Sequence, residues 1–232
     1  MTHAESRPVP DGALNFRLSL PGLIRSGNLS RLSAQGRADL MTLHPSRIID
    51  LRNRMERQID APPFVGQAEY LNLPLVPLGN QELDELSKKA TSNADFYRLY
   101  LDHAGNQMVA VLGAILDAPP GPVVVHCHAG KDRTGLIVAL CAELVGLTRD
   151  QIAADYAATG PELEGFYADQ RNQKSTEAWA RFAPFECTNP ADILTALEHL
   201  DTHWAGVRPY LKTHGLSLNE QDGLAHRLSE RD

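Results

Sequence analysis

A short apolar run, a polar loop and a longer apolar run follow one another near the middle of this chain. Residues 123–135 read VVVHCHAGKDRTG, and residues 136–146 continue as LIVALCAELVG. The three valines predict a buried strand, and the second run has the length and composition of a buried helix. A Cys, a Lys, an Asp and an Arg therefore lie together at the junction between a buried strand and a buried helix. Charged residues at such a junction indicate a functional site.

The rest of the chain also alternates between strand and helix signals. Further strands are predicted at residues 22–29, 47–52 and 69–78. The last of these contains Pro74, which predicts a position near a sheet edge. Helical spacing of apolar residues predicts one helix over 93–117. Capping and proline signals predict more helices, which begin near Ser33, Thr148, Pro190 and Ser217. This order predicts an α/β fold with a mostly parallel central sheet flanked by helices and a helical C-terminal part.

Length, charge and cysteine content limit the classes of protein. A chain of 232 residues fits a single domain over 1–232, with residues 1–13 as a loose N-terminal arm. The net charge of −7 argues against a nucleic-acid partner, which needs a basic face. Three cysteines do not form a disulfide framework and fit a reducing compartment. Because no signal peptide or membrane-length apolar run is visible, we expect a cytoplasmic protein without stable membrane insertion, although export without a signal peptide stays open.

The loop from Cys127 to Arg133 has the features of a phosphate-binding nest. A loop of this length at a helix N-terminus can point several backbone N–H groups at one anion, and Gly130 permits the backbone conformation that this requires. Arg133 would bind two phosphate oxygens, and the positive loop would favour the thiolate of Cys127. The thiolate would attack phosphorus and form a cysteinyl-phosphate, with His126 tuning it and Thr134 donating to the sulfur as it leaves. The other expected substrate-binding residues of the loop are His128, Ala129, Gly130 and Lys131.

Other interpretations of the loop explain less of it. An inert buried Cys127 leaves Lys131, Asp132 and Arg133 without a reason at a buried junction. A metal site would need His126 and His128 to face the same ion as the Cys between them, which an extended chain does not allow. The glycine and lysine spacing of nucleotide-binding loops is absent. We therefore expect no metal and no cofactor.

The motif HCHAGKDRTG, residues 126–135, resembles the signature of cysteine-dependent phosphatases. Its GKDRTG form resembles the bacterial tyrosine-protein phosphatase family, also called atypical lipid phosphatases, and weaker matches cover most of the chain: NFR (15–17), LIRSGNLSRL (23–32), IIDLR (48–52), DYAAT (155–159) and PYLKTHGLS (209–217). The segment NFRLSLPG departs from the family's usual NFRDLGG. The resemblance implies a cysteine-phosphatase fold with Cys127 as nucleophile and Arg133 as phosphate clamp. It also implies that Lys131 favours highly charged inositol headgroups and that Asp132 is the proton donor.

Candidates outside the loop are less specific. Asp50 and Arg52 end a predicted strand, and strand ends border the ligand crevice in α/β sheets, so both are expected to border the substrate site. Asp95 is the alternative proton donor to Asp132, because many cysteine phosphatases carry an Asp about thirty residues before the Cys. Residues 160–190 are rich in aromatic side chains, which fits either an apolar lid over the site or a helix packed into the main core.

The function predicted from these features is phosphomonoester hydrolysis through a cysteinyl-phosphate. The expected substrates are phosphotyrosine proteins and, as a second activity, phosphoinositides. The alternatives are a phosphoinositide phosphatase as the main activity and a pseudophosphatase that only binds phosphorylated partners. A sulfurtransferase is disfavoured, because persulfide transfer does not need the Arg and Thr of the loop.

Overall fold

A mixed sheet forms the centre of the molecule in a computed structural model that describes residues 9–76 and 79–229. Its strands are β1 (Arg17–Leu20), β2 (Leu23–Ser26), β3 (Arg47–Asp50), β4 (Tyr70–Asn72) and β5 (Val123–His126). The strand order is β1-β2-β5-β3-β4, and only the β1–β2 pair is antiparallel. This confirms the predicted α/β fold with a mostly parallel sheet.

Helices cover the sheet and form the last third of the described chain. They are α1 (Ala34–Thr42), α2 (Arg54–Ile59), α3 (Gln81–Ser87), α4 (Asn93–His103), α5 (Gly105–Leu116), α6 (Asp132–Leu144), α7 (Arg149–Ala157), α8 (Thr159–Gln173), α9 (Thr176–Phe182), α10 (Pro190–Trp204), α11 (Val207–Thr213) and α12 (Leu218–Arg227). Short 3-10 helices occur at Leu29–Arg31 and Ala183–Phe185. Among the described residues, no helix combines the length and apolar character needed to cross a bilayer.

Two sequence predictions need correction or lie partly outside the described residues. The single helix predicted over 93–117 is two helices, because Ala104 leaves helical geometry with φ −122° and ψ 22°. Gly105 follows, and a Cβ there would stand 2.5 Å from the ring of His214, so the glycine lets this ring pack directly against the backbone at the turn. Of the strand predicted over 69–78, only Tyr70–Asn72 forms a strand, β4. Residues 77–78 lie outside the described residues, as do residues 1–8 of the predicted N-terminal arm.

The two faces of the sheet bury different apolar clusters. Val124 and its register partners Ile24 and Ile48 face a smaller cluster that also holds Leu40 of α1. Val123 and Val125 face the larger cluster, which is built from α4, α5, α6 and the C-terminal helices. Side chains alternate across a strand, so a continuous apolar β5 is the expected sequence of a central strand that is covered on both faces.

The carboxyl ends of three parallel strands meet at one edge of the sheet. Ser26 of β2 and Asp50 of β3 are both in register with His126, the last residue of β5. The chain leaves β5 there, forms a loop over residues 127–131 and enters α6 at Asp132. The predicted functional loop therefore lies at the carboxyl edge of the sheet, where α/β proteins place their ligand sites.

Candidate active site

The loop between β5 and α6 is held tightly against the end of β2. Gly130 has φ +69°, and a Cβ built on it would lie 2.5 Å from the carbonyl carbon and oxygen of Ser26. Both the positive φ and this close approach exclude other residues. The first turn of α6 then brings its unpaired N–H groups to the same place, with the positive end of the helix dipole.

Side chains from the N-terminal part of the chain bind the carbonyl oxygens of the loop. Asn15 Nδ2 donates to the oxygens of Gly130 at 2.9 Å and Ala129 at 3.3 Å. Arg25 Nη2 donates to the Gly130 oxygen at 2.6 Å, and the Asn28 N–H donates to the His128 oxygen at 2.8 Å. In a trans peptide the N–H points opposite to the C=O. The N–H groups that follow these carbonyls are therefore turned away from β2, in the direction that suits an anion on the other side of the loop.

The guanidinium of Arg25 is fully buried under the loop and is neutralised from α7. Arg25 Nη1 donates to Asp155 Oδ2 at 2.5 Å, and Arg17 Nε donates to Asp155 Oδ1 at 3.2 Å. Burial by itself would raise the pKa of Asp155, but the two arginines outweigh it and lower that pKa. This ion pair keeps a cation beneath the loop in a site where an unpaired charge would be costly.

A cavity of about 500 Å³ opens above the loop. Its lining residues are Asn53, Glu56, Val76, Asn93, Phe96, Tyr100, Cys127, His128, Ala129, Lys131, Asp132, Arg133, Phe166, Tyr167, Gln170, Phe182 and Phe185. Cys127 is 2% exposed, so its sulfur lies deep in this cavity. Most of the predicted loop residues are thus brought together in one space, with aromatic rings around them.

Arg133 is fixed by a carboxylate from another element. Its Nη1 and Nη2 donate to Glu56 Oε2 and Oε1 at 2.7 and 2.6 Å. Burial would raise the pKa of Glu56, but Arg133 and the N–H of Asn53 outweigh it, so the pKa is lowered and the pair stays ionised. This fork uses two of the five N–H donors of Arg133, which leaves three for a ligand in the cavity.

Asp132 lies in the cavity wall and Asp95 does not. Asp132 Oδ1 accepts a hydrogen bond from the Tyr97 hydroxyl at 2.7 Å and lies 3.5 Å from Lys131 Nζ. Asp95 instead caps α4: its Oδ2 accepts from the backbone N–H groups of Thr91 and Ser92, which together with neighbouring groups lower its pKa to about 2. Asp95 therefore has a structural role at a helix start.

Comparison with known proteins agrees with this geometry. Residues 20–230 match the model of the tyrosine phosphatase family. The chain belongs to this family. It is 30% identical to the triple specificity protein phosphatase PtpB of Mycobacterium tuberculosis, over 91% of each chain. It is 27% identical to a tyrosine-protein phosphatase of Nostoc commune, over 96% of this chain and 82% of that one. The predicted bacterial tyrosine-protein phosphatase family, and with it an enzyme of the hydrolase class, is confirmed.

Two residues that were expected to border the substrate lie behind the phosphatase loop instead. Asp50 and Arg52 are fully buried and do not line the cavity. Arg52 donates from Nη2 to Asp50 Oδ2 at 2.8 Å, and Tyr70 donates to the same oxygen at 2.9 Å. His126 Nε2 is 3.8 Å from that oxygen. Strand β3 ends at this edge as predicted, but Asp50 at its end and Arg52 just after it pair with each other and not with a group in the cavity.

His126 and Thr134 are also buried and take no part in the cavity lining. Burial lowers the pKa of His126 to about 4, so the ring is neutral near pH 7. Within the described residues, the Thr134 hydroxyl makes no hydrogen bond, including none to the sulfur of Cys127. His128, by contrast, lines the cavity with its ring 5.7 Å from that of Phe166.

Lys131 points away from the base of the phosphatase loop. Its Nζ donates to the carbonyl oxygens of Phe185 and of Cys187, the latter at 3.2 Å, and lies 5.7 Å from the ring centre of Tyr167. Only 1% of the residue is exposed. The lysine thus joins the loop to the segment that covers it.

That segment, residues 160–190, packs over the cavity as an apolar cluster of its own. Leu163, Phe166 and Tyr167 of α8 are buried against Ala129 of the loop and Phe182 of α9. This cluster is separate from the main core. The segment therefore contributes Phe166, Tyr167 and Phe182 to the cavity wall and packs apart from the main core. That it opens as a lid stays a prediction.

Several supporting residues were not recognised in the sequence. The Asn53–Glu56 capping box at the start of α2 was a readable signal, although it does not reveal that Glu56 also binds Arg133. Asn15 and Arg25 lie in segments that resemble the family, but a resemblance assigns them no contact. Tyr97 gave no signal beyond helical spacing.

Proposed function

We propose that this phosphatase hydrolyses phosphotyrosine in proteins through a cysteinyl-phosphate on Cys127. The observation that carries the proposal is the meeting of Cys127, Asp132 and Arg133 in one cavity at the N-terminus of α6. A nucleophile, a proton donor and a phosphate clamp are the three groups that this reaction requires.

In the first step, the thiolate of Cys127 attacks phosphorus. An S–P bond forms, the P–O bond to the leaving phenol breaks, and Asp132 gives its proton to the phenol oxygen. Arg133 and the N–H groups of residues 129–132 bind the phosphoryl oxygens, where charge is held as the bonds change. The Glu56 pair presents the guanidinium in a fixed orientation, so little rearrangement is needed.

In the second step, water replaces the sulfur on phosphorus. Asp132, now a carboxylate, accepts a proton from the attacking water, and the Cys127 thiolate leaves. The Thr134 hydroxyl is free of other hydrogen bonds among the described residues and can rotate to donate to the departing sulfur. The products are inorganic phosphate and the enzyme in its starting form.

The lining of the cavity supports an aryl phosphate as substrate. Aromatic side chains from three parts of the chain surround the loop, among them Phe96, Phe166 and Phe182. They offer edges and faces to a phenyl ring, which is the favoured packing of aromatic groups. The polar groups are concentrated at the loop, so a phosphotyrosine places its charged end and its ring in matching surroundings.

A phosphoinositide activity is the second candidate, and Lys131 is the residue that favours it. Lys131 lines the cavity beside Arg133, and a flexible ammonium group can reach a second phosphate if it leaves its bonds to residues 185 and 187. Lys131→Ala should then reduce phosphoinositide hydrolysis more than phosphotyrosine hydrolysis. Equal losses on the two substrates would assign Lys131 to the phosphate common to both.

The deciding experiment is turnover of a panel of phosphotyrosine peptides and phosphoinositides by the wild-type protein and Cys127→Ser. The variant should lose all turnover but still bind vanadate, because Arg133 and the loop N–H groups remain. Cys187→Ser, at an exposed cysteine, is the matched control and should keep its activity. Turnover that survives in Cys127→Ser would end the proposal. Binding without turnover in the wild type would instead identify a pseudophosphatase.

A further inference from the structure

Two tyrosine hydroxyls lie in a chain behind the proposed proton donor, Asp132, and have no part in the reaction as described so far. Tyr97 of α4 is fully buried, and its hydroxyl is 2.7 Å from Asp132 Oδ1. The hydroxyl of Tyr156, on α7, is 2.6 Å from that of Tyr97. The carboxylate can only accept, so Tyr97 donates to Asp132 and Tyr156 donates to Tyr97. Three helices thus contribute one group each to a hydrogen-bonded chain that ends on the carboxylate.

The two oxygens of Asp132 have different surroundings. The contacts with Tyr97 and with Lys131 Nζ both fall on Oδ1. Oδ2 makes no hydrogen bond among the described residues, and the side chain as a whole is 38% exposed at the cavity. A proton on the carboxyl is therefore favoured on Oδ2, since Oδ1 can keep its hydrogen bond from Tyr97 in both protonation states.

The packing of the Tyr97 and Tyr156 rings does not by itself explain why both residues carry a hydroxyl. The rings of Tyr97 and Tyr156 pack edge to face with centroids 6.1 Å apart, which two phenylalanines could reproduce. Burying a hydroxyl is costly unless it is hydrogen-bonded, and here the end of the chain of bonds is the carboxylate of the loop. The placement of the two hydroxyls is thus tied to Asp132.

We propose that Tyr97 is a positioning residue for Asp132, which directs the transferred proton to Oδ2 and stabilises the carboxylate left after the transfer. The inference rests on the proposed function, in which Asp132 protonates the leaving oxygen. A hydrogen bond to an ionised acceptor is stronger than one to a neutral acceptor. The Tyr97 bond therefore strengthens as the proton leaves Oδ2, and such a gain during the reaction lowers the barrier. Tyr156 supports the bond by donating to the oxygen of Tyr97.

The ionisable groups around Asp132 keep this arrangement intact over the range of an assay. Those that face it are Lys131 of the loop, Tyr97 and Tyr100 of α4, Tyr156 of α7, Tyr167 of α8 and Asp192 of α10. Burial raises the pKa of all four tyrosines, that of Tyr100 to about 12. The tyrosines therefore stay protonated, and Tyr97 remains able to donate to Asp132.

The test compares Tyr97→Phe with Tyr210→Phe. Tyr210 is an equally buried tyrosine whose hydroxyl donates to the Leu101 oxygen of α4 at 2.8 Å, away from the cavity. Tyr97→Phe should lower kcat on phosphotyrosine peptides about tenfold with KM nearly unchanged, and should lower kcat much less on an activated aryl phosphate that needs little protonation. The ratio of the two kcat values is the readout, since a merely structural defect would lower kcat on both substrates alike. Tyr210→Phe should show none of these changes.

Two further measurements separate this inference from the proposed function. In an Asp132→Asn background, Tyr97→Phe should have almost no additional effect on leaving-group dependence, and an additive loss would overturn the positioning role. At one fixed pH, the carbon-13 chemical shift of the Asp132 carboxyl should differ between Tyr97→Phe and the wild type, and should be unchanged in Tyr210→Phe. An unmoved signal or an unmoved kinetic profile would overturn the inference in an enzyme that is active. Absence of all phosphatase turnover would instead contradict the proposed function, and the carbon-13 signal would still decide whether Tyr97 acts on Asp132.

Discussion

The guanidinium of Arg133 and the carboxylate of Glu56 form a two-bond fork, at 2.7 and 2.6 Å, inside the wall of the cavity. The pair joins the first turn of α6 to α2, two elements that are far apart in sequence. It holds the guanidinium of Arg133 in one orientation at the cavity.

Glu56→Gln should therefore reduce kcat/KM about tenfold, or about 1.4 kcal/mol, because the guanidinium is no longer fixed by a charged partner. Glutamine keeps an oxygen that can accept from the Asn53 N–H, so the start of α2 should survive. Steady-state kinetics on a phosphotyrosine peptide measure the effect. The control is Glu85→Gln, which removes an exposed carboxylate paired with Lys88. Equal kinetics in the two variants would show that Arg133 needs no partner.

Arg25→Lys should weaken vanadate binding about tenfold. A lysine keeps the charge beneath the loop but cannot bond both Asp155 and the Gly130 oxygen with the same geometry. The released carbonyl can then turn toward the anion and repel it. Arg47→Lys is the matched control, since Arg47 also donates to a carbonyl, that of Ala114, at a distance from the loop. Competitive inhibition by vanadate gives both affinities, and similar values would contradict a role of Arg25 in shaping the loop.

Gly130→Ala should lower the free energy of unfolding by about 2 kcal/mol or more and remove phosphate binding. The added Cβ meets the Ser26 carbonyl at 2.5 Å, and the positive φ adds strain. Gly113→Ala, where no atom lies within 4 Å of the new Cβ in α5, should instead stabilise the protein by about 0.5–1 kcal/mol. Denaturant unfolding measures the free energy of unfolding of both variants. If that free energy changed in the same direction in both, the steric explanation would be refuted.

The segment over the cavity should open when its tie to the loop is removed. We expect amides of residues 160–190 to exchange faster than those of α6 in the free enzyme and to slow with bound vanadate. Lys131→Met, which removes the bonds to the carbonyls of Phe185 and Cys187, should speed exchange around these residues. Lys88→Met at an exposed ion pair should not. Uniform strong protection in the free enzyme would mean that the segment is a fixed part of the structure.

Stability should fall as pH falls from about 6.5 to 4, and His126 should be a main cause. Burial lowers its pKa from 6.5 to about 4, so the unfolded chain binds a proton in this window and the folded chain does not. At about 1.4 kcal/mol for each pKa unit, the effect reaches about 3 kcal/mol by pH 4. His126→Asn should flatten the slope of unfolding free energy in this window, whereas His44→Asn at an exposed site should not. An unchanged slope in His126→Asn would refute the assignment.

Asp50 makes a second contribution to the loss of stability at acid pH. Its pKa is lowered: burial alone would raise it, but His126 and Arg52 outweigh that effect. A group of this kind contributes stability above its unfolded pKa and loses it as pH falls through the folded one. The loss from Asp50 therefore begins where that from His126 is complete, near pH 4 and below.

The residues that we propose to react could be selected from the sequence because they occupy one continuous motif, and the structure brings Cys127, Asp132 and Arg133 into one cavity. The fold class followed from the alternation of strands and helices, and the capping boxes at Thr148 and Ser217 are present as expected. The single helix predicted over 93–117 was wrong because the spacing of apolar residues continues across Ala104, whereas the helical backbone conformation is interrupted there. The burial of Asp50 and Arg52 could not be predicted from the sequence. A charged residue at the end of a strand gives the same sequence pattern whether its side chain faces a ligand or another charged residue.

The motif of residues 126–135 contains the residues that we propose to react, but few of the residues that hold them in place. Asn15 lies 115 residues before Gly130, Arg25 lies 105 before it, and Glu56 lies 77 before Arg133. A peptide that carried the loop and α6 alone would keep Cys127 and Arg133. It would lose the partners that hold the loop carbonyls away from the cavity and that orient the guanidinium. The partners of the loop therefore extend from Asn15 to Asp155, and a substitution at either residue can silence the reaction while leaving the signature untouched.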